Sequence, residues 1–400
     1  MERIVLLVDM NAFYISCEMS RNSALKNIPA AVAGDPQNRT GIVLAANYSA
    51  RNYGVKTAMT LHEAFKKCPD LVTIAPDHTF YNQRSKEVMS YLHHFSPVIE
   101  QNSIDEAWLD ITGTEKLFGS PFQVAEKIMT GLKNELDLWC SIGISDNKFL
   151  SKMAADMKKP LGITELWPKN ITDKLWPMPA QAMYGVGNKT MEKLKALKIS
   201  TIGEIAAADV STLVTHLGSV GMDLHRKANG IDSSPVVPHL KDEMKSIGRS
   251  TTLKTDAYAA DSVRSIFLSL AEDVGIRARN HRKKGTTIQI TIKFNDFKSI
   301  TRQTTTTPTF YTKDLFDMGF ALLKKHWPAA KGVRLIGISL TGFDSIDDGR
   351  QMSMFDSLNI DSPENKLNNS YKIDEVMDSI RKKHGSTIVS RASLIDKQDT

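Results

Sequence analysis

The stretch Ile4-Val5-Leu6-Leu7-Val8-Asp9-Met10-Asn11-Ala12-Phe13-Tyr14 decides how the whole chain is read. Five consecutive apolar residues, several of them β-branched, predict a strand over 3–9 that is buried on both faces. Asp9 closes that run, and a carboxylate at a strand end sits where functional sites gather. Asn11 offers a side-chain oxygen to cap a helix running from there to Met19.

A second acidic group lies in Ser103-Ile104-Asp105-Glu106-Ala107-Trp108-Leu109-Asp110. Strand-like segments over Val98–Asn102 and Glu106–Ile111 flank it, which suits a hairpin with acids at its tip. If the first strand and this hairpin are neighbours in one sheet, Asp9, Asp105 and Glu106 converge. Converging carboxylates repel one another unless cations sit between them, and hard divalent cations such as Mg²⁺ take oxygen ligands. Two such ions activate an attacking oxygen and stabilise a leaving one in phosphoryl transfer. Each acid taken singly reads as an ordinary surface turn residue. The combination points to a nucleotidyl transferase.

The bulk properties leave room for this. With 400 residues, 41% apolar and 24% charged, the chain has the composition of a soluble protein of two to four domains. No apolar run reaches transmembrane length and the N-terminus shows no signal-peptide pattern, so no membrane is expected and the expected compartment is the cytoplasm. Cys17, Cys68 and Cys140 are scattered without metal-ligand spacing and are read as reduced and buried. The net charge of +6 is unevenly spread: residues 241–343 hold 18 Lys/Arg against 9 Asp/Glu, leaving the rest of the chain slightly acidic. A basic excess confined to one region suits a polyanion-binding module; a solvated basic face without a partner fits as well.

Along the chain, short strands are predicted at Ala30–Ala33 and Ile42–Ala46, with helices near Leu61–Lys67 and 80–95. A helix near Phe122–Glu135, a strand at Cys140–Ser145 and a helix at Lys148–Met157 follow. These elements make an α+β unit on an antiparallel sheet. Lys159-Pro160-Leu161-Gly162 breaks the pattern. Short helices fill most of Leu166–Gly230, and residues 231–245 read as an extended linker. The next segment reads β-α-β-β-α-β, with strands near 246–254, 286–294, 299–307 and 333–341 and helices near 258–280 and 312–326. The alternation in Ile288-Gln289-Ile290-Thr291-Ile292-Lys293-Phe294 leaves Gln289, Thr291 and Lys293 on an open, polar face. From Asp344 the chain is a polar tail with one late helix near Ile373–Lys383.

Other residues carry chemistry in this frame. Phe13 and Tyr14, one turn from Asp9, read either as core or as rings pressing on the sugar of a bound nucleotide. Tyr48 and Arg51 share a helical face three positions apart, and Arg51 and Lys159 suit phosphate oxygens, although each taken alone reads first as solvated surface. Tyr184-Gly185-Val186-Gly187-Asn188-Lys189 is placed between two short helices, where Gly185 and Gly187 let backbone N–H groups approach a phosphate and Lys189 adds charge. Gln351-Met352-Ser353-Met354-Phe355 puts apolar side chains into a polar tail, which suits a docking peptide or a strand fragment packed back on the protein.

These residues carry a family likeness. Val8–Tyr14, Ala46–Arg51 with Tyr53-Gly54-Val55-Lys56, Ser103–Ala107, and Lys152–Met157 with Lys159-Pro160 resemble the motifs of Y-family, translesion DNA polymerases, nearest to the bacterial DNA polymerase IV branch. The likeness runs in order over about residues 1–355. It implies a multidomain α+β right-hand polymerase: palm (1–10 and 79–165), small fingers (11–78), helical thumb with a helix-hairpin-helix (166–230), linker (231–245), little finger (246–343) and a tail (344–400). The resemblance implies template-directed, low-fidelity addition of dNTPs to a primer on primer–template DNA by a monomer. It also implies that Asp9, Asp105 and Glu106, with the Met10 carbonyl, hold two Mg²⁺ ions. Tyr14 matches the family's gate against ribonucleotides, and Tyr48, Arg51 and Lys159 match its triphosphate grip. Gln351, Met352, Met354 and Phe355 resemble a peptide for the sliding (beta) clamp. Asn11 stands where many relatives carry a second Asp.

Overall fold

A fully buried β1 (Val5–Met10) is the spine of the N-terminal half, as its apolar run requires. The chain then forms the short strands β2 (Ala30–Ala33), β3 (Val43–Ala46) and β4 (Val72–Ile74). It returns through β5 (Ile99–Gln101), β6 (Glu106–Asp110), β7 (Cys140–Ser145) and β8 (Ile163–Glu165). These strands, with those of the C-terminal half, come from a computed structural model that describes residues 3–39, 41–238, 244–328, 331–343, 364–385 and 388–394. The chain divides into two units, Met1–Asp35 with Gly41–Leu240, and Pro36–Thr40 with Lys241–Thr400.

In the first unit the main sheet has the order β5-β6-β1-β7-β8. Its register sets Asp9 directly opposite Glu106 on one side and Ser141 on the other. The expected antiparallel sheet is corrected at one edge, because β8 pairs parallel to β7. The helix Lys148–Met157 joins those two strands, and such a crossover returns the chain in the same direction. That helix lies close on the sheet at Gly143, where a Cβ would come within 1.9 Å of the Ser151 carbonyl oxygen. Its start is fixed by Asn147, whose side chain accepts from the Leu150 N–H at 2.9 Å. Its other face joins a core of Phe149, Leu150, Met153 and Ala154 with the short helices that follow, up to Ala228. A separate three-stranded sheet, β3-β2-β4, packs its own core around Val43, Val55, Leu61 and Leu71.

Two expectations change here. Asn11 does not cap the first helix: Phe13–Arg21 starts from Ala12 in a left-handed conformation, with no side-chain cap. The Asn11 side chain is drawn instead into bonds with Ser141 and Leu161. The described first part of the expected linker, 231–238, forms no helix or strand and is fastened to this unit. Phe149 N–H donates to Asp232, Val237 N–H to Glu100, and Arg3 to the Ser234 carbonyl.

The second unit follows the expected β-α-β-β-α-β course. It consists of β9 (Ser246–Ala257), a helix Arg264–Asn280, β10 (Gly285–Phe294), β11 (Ser299–Thr309), a helix Thr312–Lys325 and β12 (Val333–Thr341). The sheet order is β11-β10-β12-β9, antiparallel throughout. Ile288, Ile290 and Ile292 point into a core with Phe267, Val274, Leu315 and Phe320, while Gln289, Thr291 and Lys293 alternate onto the other face. The tail is not wholly solvated. A helix Glu364–His384 enters this unit through Asp374 and Asp378, which meet Arg279 of the first helix. Cys17, Cys68 and Cys140 are free and buried.

Candidate active site

The three sequence-predicted acids come together because of strand register. Asp9 and Glu106 are opposite partners on β1 and β6, and the Met10 N–H donates to the Asp105 carbonyl at 2.9 Å, closing the hairpin tip against the end of β1. Ser103 donates its hydroxyl to the Asp105 carboxylate at 2.6 Å and so orients it. One cavity of about 340 Å³ is lined by Asp9, Met10, Phe13, Tyr14, Tyr48, Arg51, Asp105, Glu106 and Lys159. Leu44 also lines it.

Two lysines sit on the acids. Lys152, buried on the helix over the sheet, donates to Asp9 at 2.9 Å and also to Glu106. Lys159 donates to the same Asp9 oxygen at 2.8 Å and pairs with Asp156 at 2.7 Å. Burial works to raise the Asp9 carboxyl, but the Lys159 and Lys152 ammonium groups outweigh it and hold it below its ordinary value. Asp105 is pushed up by burial, with the charge of Asp9 adding and the Ser103 hydroxyl opposing. Glu106 is pushed up by burial and by Asp9, against Lys152. Burial alone would lower Lys152, yet Asp9 and Glu106 raise it, so it stays charged.

The donor set bears on a cation. Among the described residues no three Asp, Glu, His or Cys side chains stand in a metal-holding arrangement, because Asp9 and Glu106 are turned onto Lys152. The chemistry nonetheless fits a hard divalent ion: every donor is oxygen, and four carboxylates (Asp156 included) face only two ammonium groups. Added positive charge would relieve that imbalance.

The nucleotide-side residues are built locally. Asn47 caps the helix Tyr48–Asn52 through the Ala50 N–H at 2.9 Å and ties it down by donating to the Leu25 and Ile28 carbonyls. The shared face of Tyr48 and Arg51 is real: the guanidinium lies 4.9 Å from the tyrosine ring centroid. The Tyr48 hydroxyl is buried without a hydrogen-bond partner, an orphan donor that a ligand oxygen would satisfy. Tyr14 stacks on Tyr81 at 4.6 Å between centroids and meets His78 edge-on at 5.8 Å. Phe13 is buried beside it. Burial and the nearby Asp105 push the Tyr14 phenol up, so it stays neutral.

Lys152, Asp156 and Tyr81 are the members that sequence reasoning did not assign. For the first two the signal was an i, i+4 pair on a helix facing the acids. Gly185, Gly187 and Lys189 lie apart from this cavity. Gly185 has φ +97°, and Gly187 opens the helix Asn188–Ala196 with no atom within 4 Å of where a Cβ would stand. A single 3₁₀ turn, Ala180–Ala182, precedes them where a helix was expected. Gln351, Met352, Met354 and Phe355 fall outside the described residues.

Comparison with known proteins identifies the family. Residues 8–156 match the impB/mucB/samB family and residues 244–354 match that family's C-terminal domain. The chain is 54% identical over 398 residues to DNA polymerase IV of Alkaliphilus oremlandii, covering 99% of this chain and 100% of that one. It is 52% identical over 397 residues to DNA polymerase IV of Clostridium kluyveri, covering 99% of each. Against DNA polymerase IV 1 of Bacillus subtilis the identity is 39% over 402 residues, covering 100% of this chain and 94% of that one. Among solved structures, a Y-family DNA polymerase chimera of Dbh and Dpo4 matches with a TM-score of 0.75 at 24% identity, covering 85% of this chain and 99% of that one, a likeness of fold. Matched at both ends by the family and along its full length by these relatives, the chain belongs to the impB/mucB/samB family as a Y-family DNA polymerase of the DinB type.

Proposed function

We propose that Asp9, Asp105 and Glu106, with the Met10 carbonyl, form the catalytic centre of this DNA polymerase and hold two Mg²⁺ ions. The observation that carries the reading is the register of β1 and β6, which sets Asp9 against Glu106 in the cavity that Tyr48, Arg51 and Lys159 also line. Members of the family depend on a divalent metal, and the two bound ions would lower the pKa of the attacking hydroxyl and neutralise the triphosphate. The primer 3′-hydroxyl attacks the α-phosphorus of a dNTP. The bond from that phosphorus to the bridging oxygen breaks, pyrophosphate leaves, and the hydroxyl proton passes to solvent.

The chain's own side chains bind and orient. Arg51 and Lys159 take the triphosphate oxygens as charge-assisted donors, and the Tyr48 hydroxyl gives a third hydrogen bond. Lys152 holds Asp9 and Glu106 ionised until substrate arrives. Tyr14, backed by Tyr81, presents a ring against the sugar and excludes a 2′-hydroxyl, with Phe13 packed behind it. In this reading the palm is 1–10 and 79–165, the fingers 11–78, the thumb 166–230 and the little finger 246–343. Gly185, Gly187 and Lys189 in the thumb, and the polar sheet face in the second unit, hold duplex through its phosphates, so binding is sequence-tolerant and salt-sensitive. Low-fidelity translesion synthesis in damage tolerance, action as a monomer in the cytoplasm, and docking of Gln351–Phe355 on a sliding clamp complete the reading.

Primer extension on an undamaged template with Mg²⁺ and dNTPs tests the centre. Asp105→Ala abolishes extension while duplex binding, read by anisotropy, is kept. Full activity in that variant removes Asp105 from the centre.

A further inference from the structure

We infer that Asn11 is the positioning residue for Lys159, and through it sets the enzyme's grip on the incoming nucleotide. This rests on the reading of Lys159 as a triphosphate ligand. Asn11 is only 2% exposed, yet none of its bonding capacity goes to the acids beside it. Its side-chain carbonyl accepts the Leu161 N–H at 3.0 Å, and its side-chain amide donates to the Ser141 hydroxyl at 3.0 Å. Its main chain is committed too: the N–H donates to the Trp139 carbonyl at 2.7 Å, and its carbonyl accepts from the Ser16 hydroxyl at 2.7 Å. One buried side chain therefore joins the end of β1 to β7 and to the turn that carries Lys159.

That turn needs such a tie. Leu161 sits at φ +57°, in the left-handed region that a leucine avoids. Gly162 is packed so that a Cβ would come within 2.1 Å of the Lys158 carbonyl oxygen, and its own carbonyl accepts the Ile142 N–H at 2.8 Å. The bonds from Asn11 and from β7 thus hold both residues after Pro160. Lys159 itself ends on Asp9 at 2.8 Å and Asp156 at 2.7 Å, and both are flexible ionic contacts. The fixed part of its geometry is the backbone, and Asn11 is the side chain that ties it to the end of β1, beside the main-chain bond from Ile142. An aspartate would still accept the Leu161 N–H and take a hydrogen from Ser141, whereas alanine or leucine would leave both groups unmet.

The test is a double-mutant cycle on steady-state single-nucleotide insertion, with Asn11→Ala and Lys159→Met alone and combined, and with Asn11→Asp as the conservative control. Asn11→Leu, which fills the volume but accepts nothing, takes the place of Asn11→Ala should that variant not fold. The expected result for Asn11→Ala or Asn11→Leu is a rise of about tenfold in the dNTP KM with a smaller change in kcat. Asn11→Asp stays within about threefold of wild type, and either Asn11 variant adds no further rise in the Lys159→Met background. A KM rise of equal factor in both backgrounds, a loss confined to kcat, or no effect overturns the role of Asn11. An unchanged KM in Lys159→Met overturns the triphosphate role of Lys159 itself, and this inference falls with it.

Discussion

Among the described residues two charge networks, one in each unit, are built to opposite rules. In the first unit four carboxylates, Asp9, Asp105, Glu106 and Asp156, face two lysines, Lys152 and Lys159, at the wall of an open cavity. In the second unit three carboxylates, Glu272, Asp374 and Asp378, meet three arginines, Arg279, Arg381 and Arg391. Arg279 grips both Asp378 oxygens, at 2.6 and 3.1 Å, and spends its remaining donors on Asp374 and the Phe310 carbonyl. Asp374 in turn accepts the Thr312 N–H at 2.8 Å. A planar guanidinium with a bidentate partner is locked, whereas an ammonium is a point charge on a flexible stem that can change partners. The balanced arginine network is therefore a staple, and the underbalanced lysine network is a site awaiting positive charge.

Breaking the staple gives the largest effect on stability. Arg279→Met takes from the buried Asp374 one of its two arginines and from the half-buried Asp378 its bidentate partner, and removing one side of a buried pair costs about 3–5 kcal/mol. Urea denaturation followed by tryptophan emission should show the loss in a transition that reports Trp327, which lies in the second unit. A change under about 1 kcal/mol would mean that the network is solvated and holds nothing.

The next effect in size tests how the site is built. Gly143→Ala puts a methyl group into the backbone of Ser151 and Ala155, so the helix carrying Lys152 must shift. Overpacking of this kind costs about 1–3 kcal/mol. Because the shift moves Lys152 relative to Asp9 and Glu106, primer extension should fall along with thermal stability. Lost stability with wild-type extension would show that the helix position is not what sets the acids.

These networks also mark what the sequence could tell. Asp9 and Glu106 were legible because an acid closing an apolar strand, and an acid opening another, already define a strand end, and pairing then brings them together. Tyr48 and Arg51 were legible because their three-residue spacing fixes a shared face once a helix forms. Lys152 was not assigned, because its burial depends on Asp9, 143 positions earlier in the chain, and Glu106, 46 positions earlier. The staple was hidden for the same reason: Arg279 finds Asp374 and Asp378 at separations of 95 and 99 residues, and nothing local marks a polar tail as packed. Asn11 was misread as a cap because capping is the local use of an asparagine, and the bonds to Ser141 and Leu161 that displaced it are each at least 130 residues away.

The smallest effect sharpens the contrast from the lysine side. Removing the charge of Lys152 with Lys152→Met takes away one of the two ammonium groups that hold Asp9 below its ordinary value, and the one that opposes the rise in Glu106. Both carboxyls then titrate higher, because burial, and for Glu106 also the neighbouring Asp9, act with less opposition. The sign follows: protonation silences the centre at a higher pH than before, so the acid limb of kcat/KM moves up. Above that limb the acids are ionised in both proteins, and the rates should converge if Lys152 acts only through charge. More Mg²⁺ should also restore the variant at low pH, because a metal competes with protons for the same oxygens. A limb that stays in place would mean that Lys159 alone sets the ionisation of Asp9. A rate that stays low at high pH would mean that Lys152 contributes to the reaction itself, and the lysine network would then be part of the catalytic machinery rather than its holding charge.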